Sequence, residues 1–454
     1  MKLSGTKTGS INQYNGLGDQ LYDIAGARPT LDLNFAGKQS LNDQTTGKSL
    51  VTHTRASNAT YVGGDGLIRN AVTNLLTYSE EFDDSNWSGN AITVTADAIE
   101  APDGTLTAEK VEGVNTVSSY LFDQVSSAST NTTYTFSFWI KSIDGSSGTW
   151  GVNHYNGSGH NRTTVPVTGE WNRVSVQFSN FSSVINNIYI ADNRESLADL
   201  TEAYIWGAQL EESSTVGEYV KTTSTKNSAP RFDHDPETGE SLGLLVEESR
   251  TNLILRSEEF TNSAWTKSNT TASVNAATAP DGTTTAEKIV ETTATSEHNV
   301  RQDTTSQSAG TYTMSMFAKA GERSIIQFVS TGVLGGYRAN FDLSNGTLGS
   351  VDSQLTASIV SAGNGWYRCV VTATSSTSGT LRAQWNIVTS STAARVESYT
   401  GDGTSGVYLW GAQLEAGSFP TSYIRTEGST VTRAADIASI SGNDFGTFNL
   451  VEYS

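Results

Sequence analysis

The residues of this chain best suited to chemistry are five histidines, one cysteine and two pairs of glutamates. A metal or hydrolytic centre needs such groups at set spacings. His53, His154, His160, His234 and His298 form no His-Glu-x-x-His pair, and His154 and His160 stand too isolated for zinc. Neither a Gly-x-Ser-x-Gly elbow nor a phosphate-binding loop occurs. A retaining glycosidase needs two carboxylates facing each other across a cleft. Glu80-Glu81 and Glu258-Glu259 are neighbours, and neighbours on a strand point to opposite faces. Cys369, in Trp366-Tyr367-Arg368-Cys369-Val370-Val371, reads as a buried strand residue rather than a nucleophile. Asp103-Gly104 and Asp281-Gly282 read as turns. A structural calcium ion on such carboxylates is the alternative, although no dense Asp-x-Asp-x-Asp run supports it. The expectation is therefore a protein without catalysis and without a cofactor.

Binding chemistry is better represented. Trp87 and Trp265 follow Ser-Glu-Glu-Phe in two similar stretches, where an indole could stack on the C–H face of a sugar ring; packing under the loop is the competing reading. Trp139, Trp150, His154, Tyr155 and His160 cluster in one half of the chain without clear counterparts in the other. Tyr337 and Trp385 are private to the second half. Aromatic residues that do not repeat are the better ligand candidates, because a shared core explains the shared ones. The candidate ligand-binding set is Trp150, Tyr155, His154, Trp87, Trp265, Tyr337 and Trp385.

The elements that would position them are repeats. Trp206-Gly207-Ala208-Gln209-Leu210-Glu211 returns as Trp410-Gly411-Ala412-Gln413-Leu414-Glu415. Each hexapeptide reads as the last core strand of a β domain. Its Trp is expected in the core with the indole N–H on a backbone carbonyl, and its Gln is expected to satisfy buried backbone groups. Upstream, Thr73-Asn74-Leu75-Leu76 matches Thr251-Asn252-Leu253-Ile254, and Ser79-Glu80-Glu81-Phe82 matches Ser257-Glu258-Glu259-Phe260. Ala101-Pro102-Asp103-Gly104 matches Ala279-Pro280-Asp281-Gly282, Ala108-Glu109-Lys110 matches Ala286-Glu287-Lys288, and Tyr134-Lys141 matches Tyr312-Lys319. The spacing between copies widens twice before the hexapeptide, so the second copy carries two insertions, expected in loops.

The division that follows is an N-terminal arm (1–28), a β connector (29–72), a first domain (73–226), a connector hairpin (227–249), a second domain (250–428) and a C-terminal strand segment (429–454). Thr30-Phe35 is expected as the first strand, Gly63-Gly64-Asp65-Gly66 as a hairpin turn, and Arg231-His234 with Leu242-Glu247 as a hairpin across Asp235-Glu240. Thr432-Arg433-Ala434 echoes Thr54-Arg55-Ala56. The fold class expected is all-β: two tandem jelly-roll β-sandwiches with β-hairpin connectors and an N-terminal arm.

Composition agrees. Charged residues make up only 17%, with 42 glycines and many Thr, Ser, Val and Tyr, which favours short strands and turns over helices. A net charge of −19 repels phosphate backbones and anionic lipid, arguing against nucleic-acid partners and membrane attachment. One cysteine permits no intrachain disulfide. Met1-Thr6 leads into Gly, Asn and Gln without an apolar leader, and no apolar run has membrane-spanning length, so synthesis in a cytoplasm without a signal peptide is expected.

The set Thr-Asn-Leu-Leu/Ile, Ser-Glu-Glu-Phe, Ala-Pro-Asp-Gly, Ala-Glu-Lys and Trp-Gly-Ala-Gln-Leu-Glu resembles the carbohydrate-binding-module-like jelly-roll domains of bacteriophage fibre and head-spike proteins, over roughly residues 28–440. The resemblance implies a virion surface protein (tail fibre, head fibre or capsid decoration), made in the host cytoplasm. It also implies a homotrimer whose arm docks on capsid or tail proteins while its sandwiches contact host-surface glycans. Related proteins often place a lectin domain after a segment like Thr432-Arg433-Ala434; the short remainder here departs from that pattern. The rival readings are a decoration protein without a ligand, a glycan-active enzyme, and a cellular carbohydrate-binding module.

Overall fold

The computed structural model describes residues 32–114, 119–126, 128–130 and 132–440. The expected arm 1–28 and residues 441–454 of the expected C-terminal strand segment lie outside the described residues. The chain divides into two compact units. One comprises Thr54–Asn58 with Ala71–Ala229; the other includes Ala59–Asn70 and the chain from Pro230 onward.

The first unit is a sandwich of two five-stranded antiparallel sheets. One sheet runs His160–Val167, Gly148–Tyr155, Asn186–Asp192, Tyr120–Val125, Ser88–Asn90. The other runs Asn172–Phe178, Tyr134–Lys141, Glu202–Glu211, Ala108–Gly113, Ile92–Ile99. The chain crosses repeatedly between the sheets, the jelly-roll arrangement expected from the sequence. Alternation explains the burial: Phe136, Phe138 and Ile140 enter the core with Val152, Ile188, Ile205 and Leu210.

The second unit repeats this plan with six strands per sheet. One sheet orders Thr266–Ser268, His298–Gln307, Gly379–Ile387, Ile325–Val329, Arg338–Asp342, Thr347–Val351; the other orders Thr270–Ala277, Ala286–Glu291, Gly406–Ala416, Gly310–Ala320, Trp366–Ser375, Thr356–Ser361. The additional strands Thr347–Val351 and Thr356–Ser361 correct one expectation. The first insertion is no loop; it lengthens both sheets by one edge strand, because its two segments pair antiparallel through the backbone with the existing edges. The second insertion is a loop apart from the two-residue strand Tyr399–Thr400, which pairs with Thr295–Ser296; it spans 388–405 against 193–201 in the first unit.

The repeated motifs share one structural logic. Asn74 donates to the carbonyls of Ala208 and Val220 at 2.9 Å each and accepts from the N–H groups of Leu76 and Leu210. Asn252 does the same with Ala412, Ile424, Ile254 and Leu414. Gln209 accepts from Val220 N–H at 2.8 Å and Gln413 from Ile424 N–H at 2.7 Å, as expected. Trp206 and Trp410 are buried, but their indoles donate to the hydroxyls of Thr107 (3.0 Å) and Thr285 (3.1 Å), not to carbonyls. The register shift between Trp206 and Gln209 leaves Gly207 at φ +66°, and Gly411 matches it at +63°.

The connectors form as read: Thr60–Val62 pairs with Ile68–Asn70, and Arg231–His234 with Ser241–Leu245. The expected strand Thr30–Phe35 does not form over its described part. Asn34 instead caps a one-turn helix, Phe35–Lys38, by accepting from Gly37 N–H.

Candidate functional site

Most of the aromatic candidates belong to the cores. Trp150 is fully buried and donates to Ile190 O at 2.6 Å. His154 is buried, stacked on Phe181 at 4.0 Å and bonded to Asn186 Oδ1. Trp87 and Trp265 are buried beneath their loops, donating at 3.0 Å to Tyr78 O and Arg256 O. Trp385 is buried against Phe328 at 5.4 Å. All five are enclosed by protein, against the expectation of exposed rings at Trp150, His154 and Trp385 and in line with the packing alternative for Trp87 and Trp265. Tyr337 is half-buried and packs against the second core. Tyr155 alone joins an open aromatic face.

The reason is visible in the two cores. Trp150 lies on Gly148–Tyr155 and Trp385 on Gly379–Ile387. Each of these strands pairs with the other's counterpart, Asn186–Asp192 and Ile325–Val329 respectively. The large indole comes from neighbouring strands in the two copies, filling similar volume by a different residue. A private aromatic residue can therefore be a repacked core residue.

The paired glutamates are structural at their first member. Glu80 is buried and accepts from Tyr219 Oη at 3.0 Å and Lys221 Nζ at 2.6 Å. Glu258 accepts from Tyr423 Oη at 2.9 Å. Cys369 is buried, and burial raises its thiol well above the ordinary value. Asp103 and Asp281 each accept from their own Thr at i+2, as turn residues do. Among the described residues no group of three His, Cys, Asp or Glu is placed to hold a metal ion.

The first sandwich carries an aromatic face that the sequence reading missed. On Tyr120–Val125, Leu121 and Val125 face the core, so Tyr120 and Phe122 face outward. On Asn186–Asp192, Tyr189 alternates with core residues Ile188 and Ile190 and is itself buried, 5% exposed, among the rings around it. Phe122 and Tyr189 are register partners with ring centroids 4.9 Å apart, and Tyr120 meets Tyr189 edge-on at 5.8 Å. His160 continues the row 5.9 Å from Tyr189, and Tyr155 lies 4.6 Å from His160. Arg194 lies 4.7 Å over both Tyr120 and Tyr189.

Polar groups complete the face. Arg194 is held by Asp192 through Nε (2.7 Å) and Nη2 (2.8 Å), and Arg162 bridges Asp192 (3.2 Å) and Glu195 (2.8 Å). The Asn153 side-chain amide is hydrogen-bonded to His160 Nδ1 at 2.8 Å. Burial first, then the Arg162 and Arg194 charges, lower the His160 pKa and keep the imidazole neutral. The side-chain oxygens of Asn153 and Asn187 are buried without a hydrogen-bond partner. The signal for this face was present in the sequence: Tyr120-Leu121-Phe122 aligns with Asn299-Val300-Arg301, as the pairings Ser88↔Phe122 and Thr266↔Arg301 show, so these aromatics are private to the first copy.

The equivalent face of the second sandwich is closed. Gln384 pairs with Arg301 where Tyr189 pairs with Phe122. The longer loop 388–405 lies on the sheet: Gln327 accepts from Val396 N–H and donates to Ala394 O, and Asn340 donates to Ser391 O and Ala393 O at 3.0 Å each.

No protein-family model and no curated protein sequence matches the chain significantly. Solved structures do align with it. The CBM22-1-CBM22-2 tandem domain of Paenibacillus barcinonensis Xyn10C matches at 13% identity and TM-score 0.24, covering 82% of this chain and 98% of that one. The CBM22-1 xylan-binding domain of the same protein matches at 15% and 0.25, over 32% of this chain and 98% of its own. The M60 catalytic domain with CBM51-1 and CBM51-2 of Clostridium perfringens ZmpB matches at 11% and 0.20, over 81% and 44%. Overlap this low leaves the function to be read from the chain's own residues.

Proposed function

We propose that the chain is a non-enzymatic glycan-binding protein, and that the outer face built by Tyr120, Phe122, His160 and Tyr155 around the buried Tyr189 receives the sugar. One observation carries this reading: a row of aromatic rings on an outer sheet face stands beside two buried amide oxygens, of Asn153 and Asn187, that lack donors. Sugar rings offer C–H faces to the aromatics and hydroxyl donors to the amides. Both guanidiniums beside the face are paired with carboxylates, so the site favours a neutral saccharide over an anionic one. The motif resemblance supports placing the protein on a phage particle, as a homotrimer docked through residues 1–28 and contacting host-surface glycans.

The test is binding to a panel of neutral and acidic glycans, by the wild type and by a Tyr120→Ala, Phe122→Ala variant. The expected outcome is saturable binding to a neutral glycan, weakened tenfold or more in the variant. Equal binding by a folded variant overturns the assignment. Light scattering reads the trimer directly, and a monomer counts against it.

A further inference from the structure

The second unit contains a cavity of about 350 Å³ that takes no part in the proposed glycan face. Ile68, Leu242, Leu245, Val360 and Val370 supply apolar walls, and Phe317 is buried behind them. At the rim Leu242 is 64% and Val360 56% exposed. Volume and lining match what small-molecule sites present.

The polar group of interest is Arg368, which the two copies allow to be judged against an internal control. Its counterpart Arg173 lies over Trp139, donates from Nη1 to Gly217 O at 2.7 Å and from Nη2 to Ser137 Oγ at 3.1 Å. Arg368 lies over Phe317 and keeps the second bond, to Ser315 Oγ at 3.0 Å. The residue matching Gly217 is Thr421, since both donate N–H to the glutamate of the hexapeptide. The Thr421 carbonyl is turned to Gln413 instead. Nε is buried without a partner in both arginines, so the difference lies at Nη1. Among the described residues Arg368 has no other side-chain hydrogen bond and no ion-pair partner.

The two carboxylates that also line the cavity are otherwise engaged. Glu247 is held by Arg231 (2.8 Å), Arg433 (2.7 Å) and Ser422 (2.7 Å). Asp233 accepts from Val62 N–H at 2.7 Å. The charges of the buried Glu415 and of Glu247 act on Arg368, but neither carboxylate forms an ion pair with it among the described residues, so its guanidinium lines the apolar cavity without a directly bonded carboxylate.

We propose that this cavity is a second ligand site, which takes an amphipathic monocarboxylate: its carboxylate on the Arg368 guanidinium and its aliphatic body along Leu242, Leu245 and Val360. The guanidinium fork matches a carboxylate, and burying the chain supplies the remaining affinity.

The test is titration of the whole protein with octanoate, and separately with octanol, by saturation-transfer NMR. Wild type, Arg368→Gln and Arg173→Gln are compared. Octanoate is expected to bind saturably, at least tenfold more weakly to Arg368→Gln and unchanged to Arg173→Gln, with octanol at least tenfold weaker than octanoate. Absence of saturable binding by the folded protein, equal binding by Arg368→Gln, or octanol binding as tightly as octanoate overturns the proposal. If Arg368→Gln fails to fold, Leu242→Asp at the exposed rim must weaken octanoate by the same factor; unchanged binding overturns the proposal equally.

Discussion

Asp123 and Gln302 hold equivalent places in the two sandwiches: Asp123 Oδ2 accepts from Thr77 N–H at 3.1 Å, and Gln302 Oε1 accepts from Leu255 N–H at 2.6 Å. One copy anchors the loop with a titratable group and the other with a neutral amide. Burial pushes the Asp123 pKa up to about 6, against roughly 3.9 for an unfolded aspartate. The folded state therefore holds the proton more tightly. Stability from this group is full below roughly pH 4 and is lost as pH rises through about 6, by on the order of 3 kcal/mol. Asp123→Gln, which copies the second sandwich, is expected to flatten the pH dependence between pH 4 and 7. Denaturant unfolding at several pH values checks it; an unchanged slope would mean that Asp123 ionises normally in the folded protein.

What could be read in advance divides along physical lines. The jelly-roll class, the hexapeptide strand and both connector hairpins were legible, because duplication marks residues such as Asn74 and Gln209 that satisfy backbone groups, and turn residues such as Asp235 and Gly239 punctuate strongly. The site was not. Alternation places Tyr120 and Leu121 on opposite faces but does not say which face is the core. The private indoles of Trp150 and Trp385 misled because a core can move its largest side chain to a neighbouring strand. Asn34 illustrates a third failure, since a local side-chain cap turns Phe35 into a helix where the pattern had extended a strand.

The glycine of the hexapeptide separates backbone strain from crowding. Gly207 has φ +66°, and a Cβ there would lie 2.9 Å from the Trp139 ring. Gly104 has φ +85° with nothing within 4 Å of such an atom. Gly104→Ala is expected to cost about 1 kcal/mol from the left-handed backbone alone. Gly207→Ala should cost about 3 kcal/mol, because the Trp139 indole must also shift. Urea midpoints of the two variants check this, and equal losses would show that the ring yields freely.

Asn74 and Asn252 each serve four backbone groups, so removal leaves two carbonyls and two N–H groups without partners in a core. Asn74→Ala and Asn252→Ala are each expected to destabilise their own sandwich by about 4 kcal/mol. Because the two asparagines sit in different compact units, calorimetry should show each substitution lowering a different part of the transition. Identical thermograms would mean that the units unfold as one.

Trp150 and Tyr155 lie on one strand and should separate stability from binding. Trp150→Ala opens a cavity in the first core and leaves Ile190 O without its donor. A loss of about 4 kcal/mol is expected, with glycan binding falling only in step with the folded fraction. Tyr155 is half-buried, and its hydroxyl donates only to Gly157 O across a turn. Tyr155→Ala should cost under about 1 kcal/mol, yet weaken the glycan several-fold by removing the ring beside His160. Binding measured at a fixed folded fraction distinguishes the two, since Trp150 touches only protein and Tyr155 ends the aromatic row. Loss of binding in Trp150→Ala beyond its loss of fold would require that the core indole shapes the outer face through Ile190 and its neighbour Tyr189.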